Sequence, residues 1–357
     1  MRPVKSHCYN RGTGWFFNSL RRTGGSLVPH LALWRYFSLF RNTSDVEIIR
    51  RHDPVQNETL WLKSLCPVFI LAFSLWISPN ASLAVQNPED PPPDFEKHLS
   101  GIARLAVSSP MTTIPEGWFL MGTVRKDDDP FGLETQYDDT EFPQRKIWLD
   151  AYSIDRDEVT LAEYLAFLAG QGLPVPSELR ELIWHLVSVH FLPDYVMARW
   201  PAMFVTWQEA VDFCQQQGKR LPTEAEWEKA ARGTEGNLFP WGERVPSEEL
   251  AVSGLHHVHQ IPLLAAVDSF EEGRSPYGLN HMAGNVREWV NDWFGTDYYS
   301  RMPERNPQGP KVGRYKSVRG GSWRSRPQLL RTATRNGAYA GTRSHNIGFR
   351  CAGAAGK

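Results

Sequence analysis

The residues able to carry redox, metal or nucleophilic chemistry are few and widely spaced. Four cysteines occur in 357 residues: Cys8, Cys66, Cys214 and Cys351. They show no CxxC spacing for zinc and are too few for a disulfide scaffold. No thiol lies between Cys214 and Cys351. His256, His257 and His259 cluster in a loop, with His281 further along. Imidazoles suit iron, copper or zinc, although a solvated loop is the plainer reading of such a run. His185 and His190, five apart on a helix, do not share a face and read as structural. Arginines crowd the C-terminal part: Arg319, Arg324, Arg326, Arg331, Arg335, Arg343 and Arg350. Two uses are open. Arg324 and Arg326, with Arg287, suit the edge of a pocket for an anion, or arginines of this tail pair internally with Glu158, Glu224, Glu228 and Glu288.

Charge separates the chain into two parts. Residues 1–84 hold ten Lys and Arg against four Asp and Glu, leaving 29 against 36 in the remainder. An acidic body argues against tracking nucleic-acid phosphates. Within the basic part, Leu65–Ile77 is an apolar run of thirteen residues after Lys63, followed by Ala81-Ser82-Leu83-Ala84. As a helix it reaches roughly 20 Å, short of a bilayer core of about 30 Å. A short apolar run behind a basic residue, with small residues before a cut after Ala84, is the pattern of a secretory signal. Residues 60–84 are therefore expected to be a signal peptide, with an anchor over residues 64–78 as the alternative. Residues 1–59 are expected to be a disordered extension or to precede the true start, because a signal should open the chain. Residues 85–110 read as an acidic, proline-rich linker and a short helix from Phe95, and residues 111–357 as one domain.

The whole chain holds 28 Gly and 26 Pro, which points to turns and loops rather than a bundle. Trp118–Gly122 reads as a strand, and Arg145–Asp150 and Tyr152–Asp155 read as strands paired with each other. Helices are predicted from Thr160, with Glu163 closing a capping box, from Ser177 to His190, from Thr206 and from Thr223. Beyond Gly233 no long periodic pattern appears. The expected fold class is α+β.

Seven motifs follow in order: Trp118-Phe119-Leu120-Met121-Gly122, Ile154 to Thr160, Gly218 to Glu228, Phe239-Pro240-Trp241-Gly242, Met282 to Trp289, Arg319-Gly320-Gly321-Ser322-Trp323 and Asn346 to Cys351. Together they resemble the formylglycine-generating enzyme, or sulfatase-modifying factor, family over Ile114–Gly353. The resemblance implies a C-type-lectin-like α+β fold with little regular secondary structure, shared by members of differing function.

It also implies a copper site of two cysteines after the Gly-Gly-Ser-aromatic motif, and this sequence departs from it. Ser325 stands at the first position and Leu330 at or near the second. Soft thiolates hold Cu(I) and hydroxyls do not, so copper is not expected. Ser322 matches a pocket serine, which makes Ser322 and Ser325 the candidate catalytic hydroxyls. Arg287 replaces the pocket tryptophan, so the candidate pocket is Trp289, Arg287, Trp323, Arg324 and Arg326. Sulfoxide-forming relatives bring iron-binding histidines from a further helical domain for which no segment is seen, and iron is left open. The family's calcium sites map onto Gly284, Val286 and Glu288, with His281 replacing one oxygen ligand, and onto Asp268 and Phe270. The alternative is that Glu288 and Asp268 pair with arginines. The family's secretory members pair the cysteines matching Cys214 and Cys351, while Ala231 and Thr332 replace a second pair.

The function expected is that of an exported, periplasmic or secreted protein: a maturation factor or oxidase that does not use a copper–cysteine site. The alternative is a non-catalytic accessory module binding a ligand or partner in a lectin-like pocket. The partner is then a protein or small molecule, and contact with a membrane comes only through the signal or anchor.

Overall fold

The computed structural model describes residues 94–124, 139–254 and 264–356. The expected signal, anchor and extension, the histidines of the 255–263 loop and most of the acid-rich loop after Lys126 lie outside them. Among the described residues, no helix is long and apolar enough to cross a membrane.

The elements run α1 (Phe95–Ala103), β1 (Met111–Ile114), β2 (Gly117–Met121), β3 (Arg145–Leu149), β4 (Tyr152–Asp155), α2 (Leu161–Gln171), α3 (Ser177–His190), α4 (Asp194–Met197), α5 (Trp207–Gln216) and α6 (Glu224–Arg232). There follow β5 (Arg287–Trp293), α7 (Tyr298–Arg301), β6 (Lys316–Arg319), β7 (Asn336–Ala338), β8 (Ile347–Phe349) and β9 (Ala352–Ala354). The class is α+β, with short strands and much irregular structure among the described residues.

Local sequence dictates the helix starts. Thr160, Thr206 and Thr223 each accept the backbone N–H three residues on, and Glu163, Glu209 and Glu226 reach back to the cap. Each reciprocal pair satisfies two N–H groups that a helix end otherwise leaves open. α2 stops at Gly172, whose φ of 65° suits a residue without Cβ.

The strands form three sheets: β1-β4-β9, β2-β3 and β7-β6-β5-β8. β3 and β4 were expected to pair with each other and do not. β3 pairs with β2, while β4 lies between β1 and β9. Asp150-Ala151 between them lacks the Gly or Asn that a two-residue hairpin turn demands, so the chain continues onward. In the four-stranded sheet β5 runs antiparallel to β6 and parallel to β8, setting Glu288 opposite both Arg319 and Gly348. A Cβ at Gly348 would lie 2.4 Å from the Ala202 carbonyl oxygen, so the close approach here admits only glycine.

The core gathers Phe119, Met121, Ile147, Leu149, Tyr152, Ile154, Trp227, Leu279, Met282, Val290 and Tyr299 between the sheets and α6. α6 is buried on every side although it reads Glu-Ala-Glu-Trp-Glu-Lys-Ala-Ala-Arg. Its charges are matched by arginines from distant segments, as burial of a charge requires. Arg319 donates to Glu228 at 2.5 Å, and Arg335 donates to both oxygens of Glu224 at 2.7 and 2.8 Å.

The Cys214–Cys351 disulfide ties α5 to the segment between β8 and β9, across 137 positions. Ala231 and Thr332, which replace the second pair, are both buried, and the Thr332 hydroxyl donates to the Asn237 carbonyl at 2.7 Å.

Candidate functional site

β5 and the turn after β6 position the candidate residues. Alternation along β5 sends Arg287 and Trp289 to one face and Glu288 to the other. The Arg287 N–H donates to the Asn346 carbonyl and the Trp323 N–H to the Asn285 carbonyl, both within 2.9 Å. Backbone bonds thus fix the bases of both side chains.

Ser322 and Ser325 close a buried turn on themselves. The Ser322 N–H donates to the Ser325 Oγ at 2.9 Å, the Ser325 N–H to the Ser322 carbonyl at 2.8 Å, and the hydroxyls stand 3.4 Å apart. Among the described residues, neither hydroxyl has a carboxylate or imidazole as a hydrogen-bond partner to activate it as a nucleophile. Leu330 is buried with Phe239, Ala251 and Ala283. The two positions that hold copper in the resembling family are therefore a sealed hydroxyl and an apolar plug. They do not fit Cu(I).

The calcium residues are engaged elsewhere. Glu288 accepts from Arg350 Nη2 and Nε at 2.7 Å each and from Trp227 Nε1 at 2.8 Å. A cation on Glu288 would have to displace that buried guanidinium. The nearby Glu158 accepts from Asn285 Nδ2 at 2.7 Å and from the Val286 N–H at 3.3 Å, so Gly284 and Val286 bring no idle carboxylate with them. Burial, then the charge of Glu288, push Glu158 well above the usual carboxylate range. Asp268 is held by Arg199 through both oxygens, and the Phe270 carbonyl accepts the Gly273 N–H at 2.9 Å. Neither donor set fits a hard divalent ion. The arginine pairing that the sequence left as the alternative is the arrangement found. Among the described residues, no group of three or more His, Cys, Asp or Glu is placed to hold a metal ion.

The pocket residues also divide. Trp289, expected to line the pocket, is fully buried, and its Nε1 donates to the Val205 carbonyl at 2.9 Å. Its place between β6 and β8 makes it core. Trp323 is partly exposed, with Arg324 above its ring at 5.7 Å and His345 packed at 5.4 Å. Arg324 and Arg326 are exposed and Arg287 is partly buried. Of the expected pocket, Arg287, Trp323 and Arg324 come together at an edge formed by the start of β5 and the turn after β6. Sequence reasoning missed His345, which packs on Trp323, and Phe204, whose ring meets that of His345 at a tilt with centroids 6.3 Å apart. Only their neighbourhood to the Asn346–Cys351 and Thr206 signals hinted at it.

His281 occupies a left-handed backbone position with φ 52°. Its Nε2 lies 3.1 Å from the Ala266 carbonyl, so that nitrogen carries the proton and the buried Nδ1 is bare. Burial holds its pKa down at about 4, and burial, then Arg324, hold His345 at about 4 as well. Both stay neutral in the folded state while the unfolded chain takes up protons below about pH 6.5. Their stabilising contribution is therefore complete above that pH and is lost as pH falls towards 4. The unfolding free energy from denaturant titration should drop over this window by on the order of 1 kcal/mol per pH unit for each histidine. His281→Asn, which keeps a residue tolerant of positive φ, should flatten that limb. An identical slope in the variant rejects the assignment.

Comparison with known proteins gives four findings. Residues 103–355 match the sulfatase-modifying factor enzyme 1-like domain. The mouse formylglycine-generating enzyme is 30% identical over 301 residues, covering 71% of this chain and 77% of that protein. A second mouse protein, described as inactive Cα-formylglycine-generating enzyme 2, is 29% identical over 296 residues, 69% of this chain and 86% of its own. Among solved structures, PvdO from Pseudomonas aeruginosa superposes with a TM-score of 0.53 at 24% identity, over 68% of this chain and 94% of that one, a likeness of fold.

Proposed function

The chain belongs to the sulfatase-modifying factor enzyme 1-like domain family, and from that premise we propose that it acts as an exported accessory module. It binds a ligand or partner at the Trp323 edge instead of oxidising a cysteine through copper. One observation carries this reading: Ser325 is locked into a buried turn with Ser322, and Leu330 fills an apolar cluster, where a copper oxidase of this family needs two thiolates. A relative of similar identity described as inactive agrees with the loss of chemistry on a retained fold. Export is supported by the apolar run at Leu65–Ile77 and by the Cys214–Cys351 bridge, which suits an oxidising compartment.

The test is oxygen uptake by purified chain supplied with copper and a cysteine-containing peptide. The expected rate equals that of copper and peptide alone. Stoichiometric conversion of the peptide cysteine to an aldehyde would replace this reading by an oxidase.

A further inference from the structure

Among the described residues, the deeply buried arginines all have carboxylates. Arg319 has Glu224 and Glu228, Arg331 has Glu141, Arg335 has Glu224, Arg350 has Glu288 and Arg232 has Glu228. That is the ordinary rule for charges removed from water. Arg287 breaks it. Its Nε is shut off from solvent with no hydrogen-bond partner, and no carboxylate among the described residues forms an ion pair with it. The charge that reaches it is of its own sign: burial, then Arg324, weaken its hold on its proton. Arg324 likewise has no ion pair among the described residues and rests over Trp323. Its field also reaches His345, whose ring packs on Trp323 at 5.4 Å, so Arg324 is the charged neighbour of both Arg287 and His345.

Two guanidiniums held close, one of them partly desolvated, repel each other and cost stability unless something negative sits with them. Their bases are rigid, because β5 and the turn after β6 are fixed by the backbone bonds at Asn346 and Asn285. The remainder of the chain beyond residue 84 is acidic, so an anion is not drawn there by the general field. Guanidinium forks suit oxygen anions, and two of them beside an aromatic ring suit a small molecule better than a polymer backbone. We propose that Arg287 and Arg324 form an oxyanion site at the Trp323 edge, taking the carboxylate or phosphate group of a small molecule. This rests on reading that edge as a binding site.

The experiment is thermal unfolding of the full chain with sodium phosphate or sodium acetate, against sodium chloride at equal ionic strength. Wild type is expected to show a saturable rise in Tm with one of the two anions, about 3–6 °C at roughly ten times Kd. A response to phosphate alone assigns a tetrahedral dianion, and a response to acetate a carboxylate. Arg287→Met should lose the response while its Tm without anion equals or exceeds that of wild type, since an unpaired buried charge has been removed. Arg324→Met, on the exposed side, should lose it too, with a baseline Tm equal to or above that of wild type because the same repulsion is relieved. Absence of a saturable response in wild type overturns the proposal. So does an unchanged response in either variant, or a lower baseline Tm for Arg287→Met, which would make the arginine structural. Because oxygen uptake is read separately, an absent anion response with no oxidase activity removes this inference and leaves the binding reading standing.

Discussion

Glu228→Leu is expected to cost about 3–5 kcal/mol, the range for breaking a buried ion pair by removing one partner. Glu228 is fully buried and accepts four hydrogen bonds: from the Gly122 N–H at 2.7 Å, Arg232 Nη1 at 2.8 Å, Arg319 Nη2 at 2.5 Å and the Tyr299 hydroxyl at 3.0 Å. One carboxylate thus joins the end of β2, α6, β6 and α7. Leucine matches much of the volume, but it leaves the Arg232 guanidinium without a carboxylate and the Gly122 N–H without an acceptor. Of its carboxylates Arg319 keeps only Glu224, at 3.4 Å, besides the backbone carbonyls of Thr332, Ala333 and Thr334. Glu228→Gln retains one acceptor oxygen while turning an amide N–H towards an arginine, so its loss should be smaller. Guanidinium chloride unfolding followed by far-UV circular dichroism reads both. A midpoint for Glu228→Leu within error of wild type contradicts the account of how α6 is buried.

Cys214→Ser is expected to have the second large effect, a loss of roughly 3–5 kcal/mol for a loop of this length. The bridge spans 137 positions and connects α5 to the residue that follows Arg350, the partner of Glu288. Releasing it enlarges the unfolded ensemble, and Cys351→Ser and the double variant should cost about as much as either single change, because one bond is lost in each case. Both cysteines are fully buried, so reductant should act only as the fold opens. Thermal melts with and without reductant check this. Additive losses in the double variant would show that the sulfurs contribute by packing and not by the bond.

The sequence disclosed features that are local and hid those that are not. The three Thr–Glu boxes at Thr160, Thr206 and Thr223 could be read directly because cap and partner lie three residues apart. β6 could not. Its Lys316-Ser317-Val318-Arg319 has no apolar alternation, yet all four residues are buried. Arg319 is paid for by Glu224 and Glu228, more than ninety positions away. Lys316 sits over the rings of Trp207 and Trp293 at 3.6 and 4.0 Å. The same distance in sequence concealed which arginines were structural. Arg335 and Arg350 looked no different from Arg324 until their glutamates arrived from α6 and β5. Trp289 and Trp323 were equal as candidates, because nothing local tells a tryptophan between two strands from one just past a strand end. The departure from the copper pattern was legible in full, since it needs only residue types at Ser325 and Leu330. The sealing of Ser322 against Ser325 was not, because it depends on a turn conformation.

A Cu(I) titration of the full chain carrying Cys8→Ser and Cys66→Ser, which removes the two cysteines outside the bridge, against a competing chromogenic chelator tests the central claim most directly. The account predicts that the chain takes no stoichiometric Cu(I) from the chelator, since Ser325 and Leu330 offer no thiolate pair and Cys214 and Cys351 are bonded to each other. Withdrawal of one Cu(I) per chain by the non-reduced protein would contradict it.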